Sequence, residues 1–560
     1  MNPTSDNSVA PPGQRPARLK HRSASRSVAI NAASNWAGMG VNFVVKLFLV
    51  KYLYTHLGRE DYGIYLVALS VTQMTAFIRF GLGGSVLRLA SEGIAARDWQ
   101  GLSDTLSVAR TILAVGGTLA WGAAIVMSLF MLDVLSVPAE SHASAAALIQ
   151  MTGLGAACHI LTTVYAGTLR AAQRYYLINT IVAGESLLTA AMVAVLFSLG
   201  YVNLEVLGLT TAVPAALALA GSALMVRRLL PEVHISFRRF TRAALGRVAS
   251  LTAWIAISEV ALVVHSQVGA PLVSATIGPA AVPMLAVPRQ MITQFARAIA
   301  AMTQPLRPVA TAMAVQGRRD HLARMYRMAL RFTAVLMVPG IAILVVYGKP
   351  VIRFFTDAQM AADSYPVLVV YVTLFGLHQL SHPATAIVMG VGSVRGVALW
   401  QGGALLTGAA LAAAVAIGTP WGIVGLVVAL NVPMLFYSLG YMSVRIRQET
   451  GVSVGATLAR GLGGPMMGGL VPVGLGLLLQ WLWPVSDSDA ALLVWLVVQM
   501  SVCGLAYLVA AWFAILDRDE RATLRNLLPS RRVRPSVAGR GGPPPEPPAA
   551  PAPSDWPNGE

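Results

Sequence analysis

The sequence predicts an all-α polytopic membrane protein of about fourteen transmembrane helices, arranged as two six-helix lobes and two further helices at the C-terminal side. Three observations carry this. Hydrophobic residues make up 56% of the 560-residue chain and charged residues only 12%, about half the roughly 25% of a soluble domain. A chain of this length cannot cover a water-facing surface with so little charge, so the bilayer is its solvent. The apolar residues come in runs of about 20 or more, the length of a membrane-crossing helix rather than the roughly 9–11 residues of a barrel strand. Basic residues fall on alternate connections between those runs.

Residues 1–26 are polar and contain Pro, Ser and Arg, so a disordered cytoplasmic tail is expected. A charged tail ahead of a full-length span does not resemble a signal peptide. Apolar runs at 30–56, 61–84, 106–132, 144–169, 177–200 and 205–226 make an N-terminal lobe over 27–226. The basic stretch 227–247, with Arg227, Arg228, Arg238, Arg239 and Arg242, reads as a cytoplasmic linker. Runs at 248–273, 280–310, 328–348, 365–390, 396–417 and 421–444 make a C-terminal lobe over 248–444. The first two of these are the least regular, because polar residues and Pro271, Pro283, Pro288, Pro305 and Pro308 interrupt them. Runs at 464–484 and 490–516 add a final pair within 445–516, and 517–560 is a Pro-rich tail that cannot bury a core. Six spans per half, an even number, imply two parallel repeats related by an axis along the membrane normal. Turns such as Gly200-Tyr201-Val202-Asn203 leave no room for a domain outside the membrane.

Charge tests this count. With the N-terminus in the cytoplasm, the cytoplasmic segments carry 30 Lys and Arg, and the outer connections carry Arg59, Lys349 and Arg353 alone. Such asymmetry is the positive-inside pattern. It places both termini in the cytoplasm and accounts for most of the net charge of +17. The basic loops therefore read as orientation signals that meet anionic membrane lipids, and no nucleic-acid partner is expected.

Enzyme chemistry is not legible. Gly348-Lys349 is followed by Pro350, which is not a P-loop ending, and neither GxSxG nor HExxH is present. Cys158 and Cys503 are far apart in apolar runs, so neither thiol redox chemistry nor a zinc-thiolate site is expected. His378 and His382 share a helical face but lack a third ligand nearby in sequence, and they read as interhelical hydrogen-bonding groups. No cofactor and no metal are expected.

The informative residues are ionisable ones inside the spans, which cost about 2.5–3.5 kcal/mol at mid-bilayer and persist where they face water or a partner. Eight cations lie in the spans, against Glu185 and Glu259. Arg88, Arg110 and Arg307 lie near span ends and can snorkel. Lys51 is near the outer interface, whereas Lys46, Arg79, Arg289 and Arg297 are deeper. Because Lys46 and Arg289 belong to different halves, a hydrated cationic cleft between the lobes is expected. Its substrate-binding candidates are Lys46, Lys51, Arg79, Arg289 and Arg297. Glu185 and Glu259 are candidate ion-coupling groups, or else internal partners for the cations. His159 and His265 are candidates for a proton relay.

The segment from Tyr52 to Tyr65, YLYTHLGREDYGIY, resembles the first outer loop of bacterial polysaccharide-biosynthesis flippases, the Wzx-type O-antigen and exopolysaccharide translocases. Asn35-Trp36, Phe80-Gly81-Leu82-Gly83-Gly84-Ser85, Gly278-Pro279-Ala280-Ala281-Val282, Val287-Pro288-Arg289-Gln290 and Gly317-Arg318-Arg319-Asp320 extend the resemblance over roughly 30–450. The chain departs from the family at Ser266-Gln267-Val268-Gly269-Ala270-Pro271, where the family often has an acidic residue. The resemblance implies the MATE-like two-lobed fold of the multidrug/oligosaccharidyl-lipid/polysaccharide exporter superfamily. It implies an inner-membrane flippase for undecaprenyl-pyrophosphate-linked oligosaccharide, working by alternating access beside a polysaccharide polymerase and glycosyltransferases. The alternatives are a cation-coupled multidrug exporter of the same superfamily and a non-transporting scaffold of a polysaccharide-synthesis complex.

Overall fold

The structure, a computed structural model, describes residues 18–75, 82–237, 239, 241, 245–246, 259–452, 454–485, 488–517 and 521. The chain forms two compact units, Met1–Ile515 and Leu516–Glu560. Of the second unit the described residues are Leu516, Asp517 and Arg521, and the expected C-terminal tail otherwise lies outside them. In the first unit the described residues outside turns are helical. Among the described residues ten helices are long and apolar enough to cross a membrane, and each coincides with one of the apolar runs.

Helix α1 (Arg18–Met74) begins within the stretch expected to be a disordered tail and carries the first two runs. It breaks at Gly58, whose φ of 77° and ψ of −177° belong to a region open essentially to glycine alone. Next come α2 (Leu82–Ala96), α3 (Trp99–Phe130), α4 (His142–Ala171), α5 (Tyr175–Ser198) and α6 (Leu204–Leu229). The side chain of Asp98 caps α3 by accepting from the Gly101 amide, and Asn203 caps α6 by accepting from the Val206 amide. Beyond α6 the linker runs along α3, where Ser103 and Ser107 hydroxyls accept from the amides of His234 and Ser236 at 3.0 Å each.

Residues 259–267 are helical and lead into α7 (Gly269–Thr276). The run at 280–310, expected as one span, is two helices, α8 (Val282–Thr303) and α9 (Leu306–Val315). The break falls at Gln304-Pro305, where the proline removes an amide donor. The remaining elements are α10 (Arg319–Phe355), α11 (Ala358–Gln379), α12 (His382–Val391), α13 (Val394–Gly418), α14 (Gly422–Phe436), α15 (Met442–Thr450), α16 (Val454–Leu482) and α17 (Asp489–Ala510). Wider π turns over Tyr437–Tyr441 and Ala511–Ile515 join α14 to α15 and extend α17.

Buried apolar side chains divide unequally between the two ends of this body. At the end bearing Gly58, one core draws on both halves of the sequence: Tyr54, Tyr62, Leu135 and Leu148 pack in the same cluster as Val273, Val282, Met360, Leu368 and Leu426. At the end bearing the linker, the main cores among the described residues each stay within one half of the sequence. One contains Val86, Leu102, Leu106, Leu113 and Val164, from α2 to α4; the other contains Leu322, Tyr326, Ile387, Val388, Met434 and Ile446, from α10 to α15. Helices α16 and α17 pack against α10 through Tyr347, Trp495, Leu496 and Cys503. Two bundles thus share apolar packing at the Gly58 end and pack separately at the other.

Candidate functional site

The seam between the bundles carries two of the deep cations, and a third lies in the C-terminal bundle. Lys46 on α1 is half-buried and lies within electrostatic reach of Arg297 on α8, which is exposed. Arg289, two turns nearer the start of α8, is half-buried beside His265 and the Tyr371 ring. Among the described residues no hydrogen bond or ion pair is made by the side chains of Lys46, Arg289 or Arg297. Two cations from opposite bundles thus face each other without a carboxylate between them, and they suit an anion arriving in the seam. Arg79 lies outside the described residues.

Lys51 has a different setting from the other candidates. Its Nζ donates to Asp489 Oδ2 at 2.9 Å and to the Phe354 carbonyl at 2.7 Å, and it stands 4.0 Å from the Phe354 ring centroid. It ties α1 to α10 and α17 at the Gly58 end, away from Arg289 and Arg297. Its partner is 438 residues distant in sequence.

The carboxylates lie inside the bundles. Glu185 Oε1 on α5 stands 3.1 Å from His159 Nε2 on α4, and the pair lines a cavity of about 370 Å³ with Thr72, Thr152, Thr189 and Thr211. Its close partner is a histidine rather than one of the span cations. Glu259 lines a second cavity, of about 390 Å³, with Gln304, Arg307, His382 and Gln401. Arg307, read from sequence as a snorkelling residue, therefore faces a cavity within the C-terminal bundle. His378 Nδ1 meets Ser438 Oγ at 2.6 Å, on the π turn, which is the interhelical bond anticipated for it.

A set of contacts missed in the sequence closes the Gly58 end. Tyr54 Oη donates to the Asp357 carboxylate, which also caps α11 by accepting from the Met360 amide at 2.7 Å. Arg59 donates to the Ala280 carbonyl at 2.8 Å and to Asp363 at 3.3 Å. Ser274 Oγ donates to the Leu135 carbonyl at 2.5 Å. Gly63 lies directly against the Pro279 carbonyl, so a Cβ there would overlap backbone atoms. Burial alone would raise the Asp357 carboxyl; the Tyr54 hydroxyl, the Met360 and Gln359 amides and the Arg59 charge outweigh it and hold it below the ordinary carboxylate value.

This arrangement of helices has counterparts among solved structures. An inward-facing multidrug resistance MATE family transporter of the MOP superfamily superposes with a TM-score of 0.61 at 16% identity, covering 74% of this chain and 96% of that one. The lipid II flippase MurJ in an inward closed conformation gives 0.62 at 13% identity, covering 86% of this chain and 98% of that one. The fold is shared with MATE and MurJ structures. A MOP superfamily transporter from Pyrococcus furiosus, described as having a binding pocket of reverse polarity, gives 0.53 at 17% identity, covering 75% of this chain and 95% of that one. At these identities the likeness is one of fold. No protein-family model matches the chain, and no curated protein sequence matches it.

Proposed function

We propose that this chain is a flippase of a bacterial inner membrane, that it moves an undecaprenyl-pyrophosphate-linked oligosaccharide by alternating access, and that both termini lie in the cytoplasm. The observation that carries the reading is the pair Lys46 and Arg297, like charges from opposite bundles with no carboxylate partner among the described residues. A pyrophosphate supplies the missing negative charge, and a polar seam lets a sugar pass while the polyprenyl tail stays in lipid. With Gly58 outward, the shared core lies on the outer side and the separate cores lie toward the cytoplasm, where the bundles would part to admit substrate. A scaffold needs no divided core, so the two-core end weighs against that alternative.

The cation-coupled multidrug exporter has its own support. Glu185 and Glu259 each line a cavity inside one bundle, as ion-coupling groups would. Proteoliposomes separate the readings. Transfer of a fluorescent undecaprenyl-pyrophosphate oligosaccharide, scored by loss of access to a membrane-impermeant quencher, is expected for the wild-type chain. The Lys46→Ala, Arg297→Ala double variant should lower the initial rate roughly tenfold or more, the worth of one charge-assisted hydrogen bond. Efflux of a lipophilic cation with no lipid transfer would move the assignment to the exporter.

A further inference from the structure

Outside the seam, a lateral groove of about 520 Å³ lies between α1, the end of α10 and the start of α17. Its lining is Val44, Leu47, Phe48, Lys51, Tyr52, Thr55, His56, Phe354, Phe355 and Leu493. Polarity is graded along it. On α1 the order from the Gly58 end is His56 and Thr55, then Tyr52 and Lys51, then Phe48, Leu47 and Val44. On the facing wall Asp489 stands one helical turn above Leu493 on α17, while Phe354 and Phe355 end α10 at the level of Lys51. From His56 to Val44 the α1 wall rises about 18 Å at 1.5 Å per residue. That is close to one leaflet of a hydrocarbon core about 30 Å thick.

The mouth holds opposite charges: Lys51 and Asp489, 2.9 Å apart, with 30% and 69% of their side chains exposed. The two protein acceptors use two of the three ammonium protons of Lys51. His56 Nδ1 is taken by the Tyr52 carbonyl at 2.8 Å, which leaves its Nε2 for another partner. An anion alone would meet Asp489, and a cation alone would meet Lys51. A headgroup with a phosphate and a primary ammonium satisfies both, the phosphate on Lys51 and the ammonium on Asp489, with His56 Nε2 as a further acceptor for the ammonium. A half-exposed ion pair such as this one is weak enough to be exchanged for such contacts.

We propose that this groove binds a zwitterionic amino-phospholipid, its acyl chain along Phe48, Leu47, Val44, Phe355 and Leu493 and its headgroup between Lys51 and Asp489. The site wedges α1 against α10 and α17 at the sealed end, and it does not depend on what crosses the seam.

The test uses the full chain in nanodiscs containing equal parts of phosphatidylethanolamine and phosphatidylglycerol, with retained lipid counted by native mass spectrometry after release. Wild type should retain phosphatidylethanolamine about threefold or more over phosphatidylglycerol, the scale of one half-exposed ion pair. Asp489→Asn should reverse the preference, because Lys51 is then left with the phosphate alone. Leu493→Trp, at a position 45% exposed and so tolerant of bulk, should abolish retention of both by filling the groove. Equal retention of the two lipids by wild type, a wild-type preference for phosphatidylglycerol, or retention unchanged in Leu493→Trp would each overturn the proposal.

Discussion

The seal at the Gly58 end can be weakened without touching the seam. Tyr54 is 6% exposed and gives its hydroxyl to the charged Asp357, and Tyr54→Phe removes that bond while leaving the ring in the shared core. Asp357 is exposed, so solvent screening brings the bond down to about 0.5–1.5 kcal/mol, and each 1.4 kcal/mol is about tenfold in a population. Parting of the bundles at this end should therefore become roughly two- to tenfold more frequent. Asp357→Asn should do somewhat less, because an asparagine still caps α11. Acid should act in the same direction. The Asp357 carboxyl is held below its ordinary value in the sealed state. Its contribution is therefore complete above the ordinary carboxylate pKa of about 3.9 and is lost as pH falls through the lower, sealed-state value. The assay is a pulsed electron-spin distance between labels at Tyr201 and Trp421, two exposed turn positions, one in each bundle, in a Cys158→Ser background. A longer distance should gain population in Tyr54→Phe at neutral pH and in wild type only below about pH 4. A distribution identical in wild type, Tyr54→Phe and Asp357→Asn would refute the assignment of these contacts as the seal.

Three further outcomes follow from the same geometry. A disulfide between cysteines at Ser136 and Ala275, where the hydroxyl meets the carbonyl at 3.5 Å, should fix the sealed end and stop lipid transfer, with recovery on reduction. Gly63→Ala should open the sealed end in the spin-label assay, because the added carbon meets Pro279 backbone that cannot give way. Gly58→Ala should cost about 1–3 kcal/mol, read as a lower unfolding temperature in detergent, since φ of 77° with ψ of −177° is strained for any residue with a side chain.

Much of the helical layout is written in run length, because a bilayer of fixed thickness imposes its own ruler on the sequence. The run at 328–348 sits inside a helix of 37 residues, and the run at 490–516 matches one of 27 residues to within a residue at each end, for that reason. The misreadings are local. Gly58 sits in a polar connection and shows its break only through its backbone angles, while Gln304-Pro305 ended a helix that hydropathy carried through. Depth alone separated Lys51 from Lys46, yet Asp489 could not be foreseen as its partner. Likewise the Glu185–His159 pair joins neighbouring helices by facing direction, a property that hydropathy averages away. Motifs fared better than single charges. The segments around Asp61-Tyr62-Gly63 and Gly278-Pro279-Ala280, each singled out in the sequence, meet backbone to backbone.

Lys46, Tyr54 and Arg59 all belong to α1, and Lys46 and Tyr54 stand on the same side of the Gly58 break. Eight residues of continuous helix, about 12 Å, separate the charge at the seam from the hydroxyl at the seal. Under the proposed function, an anion drawn to Lys46 would tug a stiff rod whose far end is bolted to the opposite bundle. Loading and release would then need no messenger between them, because one helix would serve as both handle and latch.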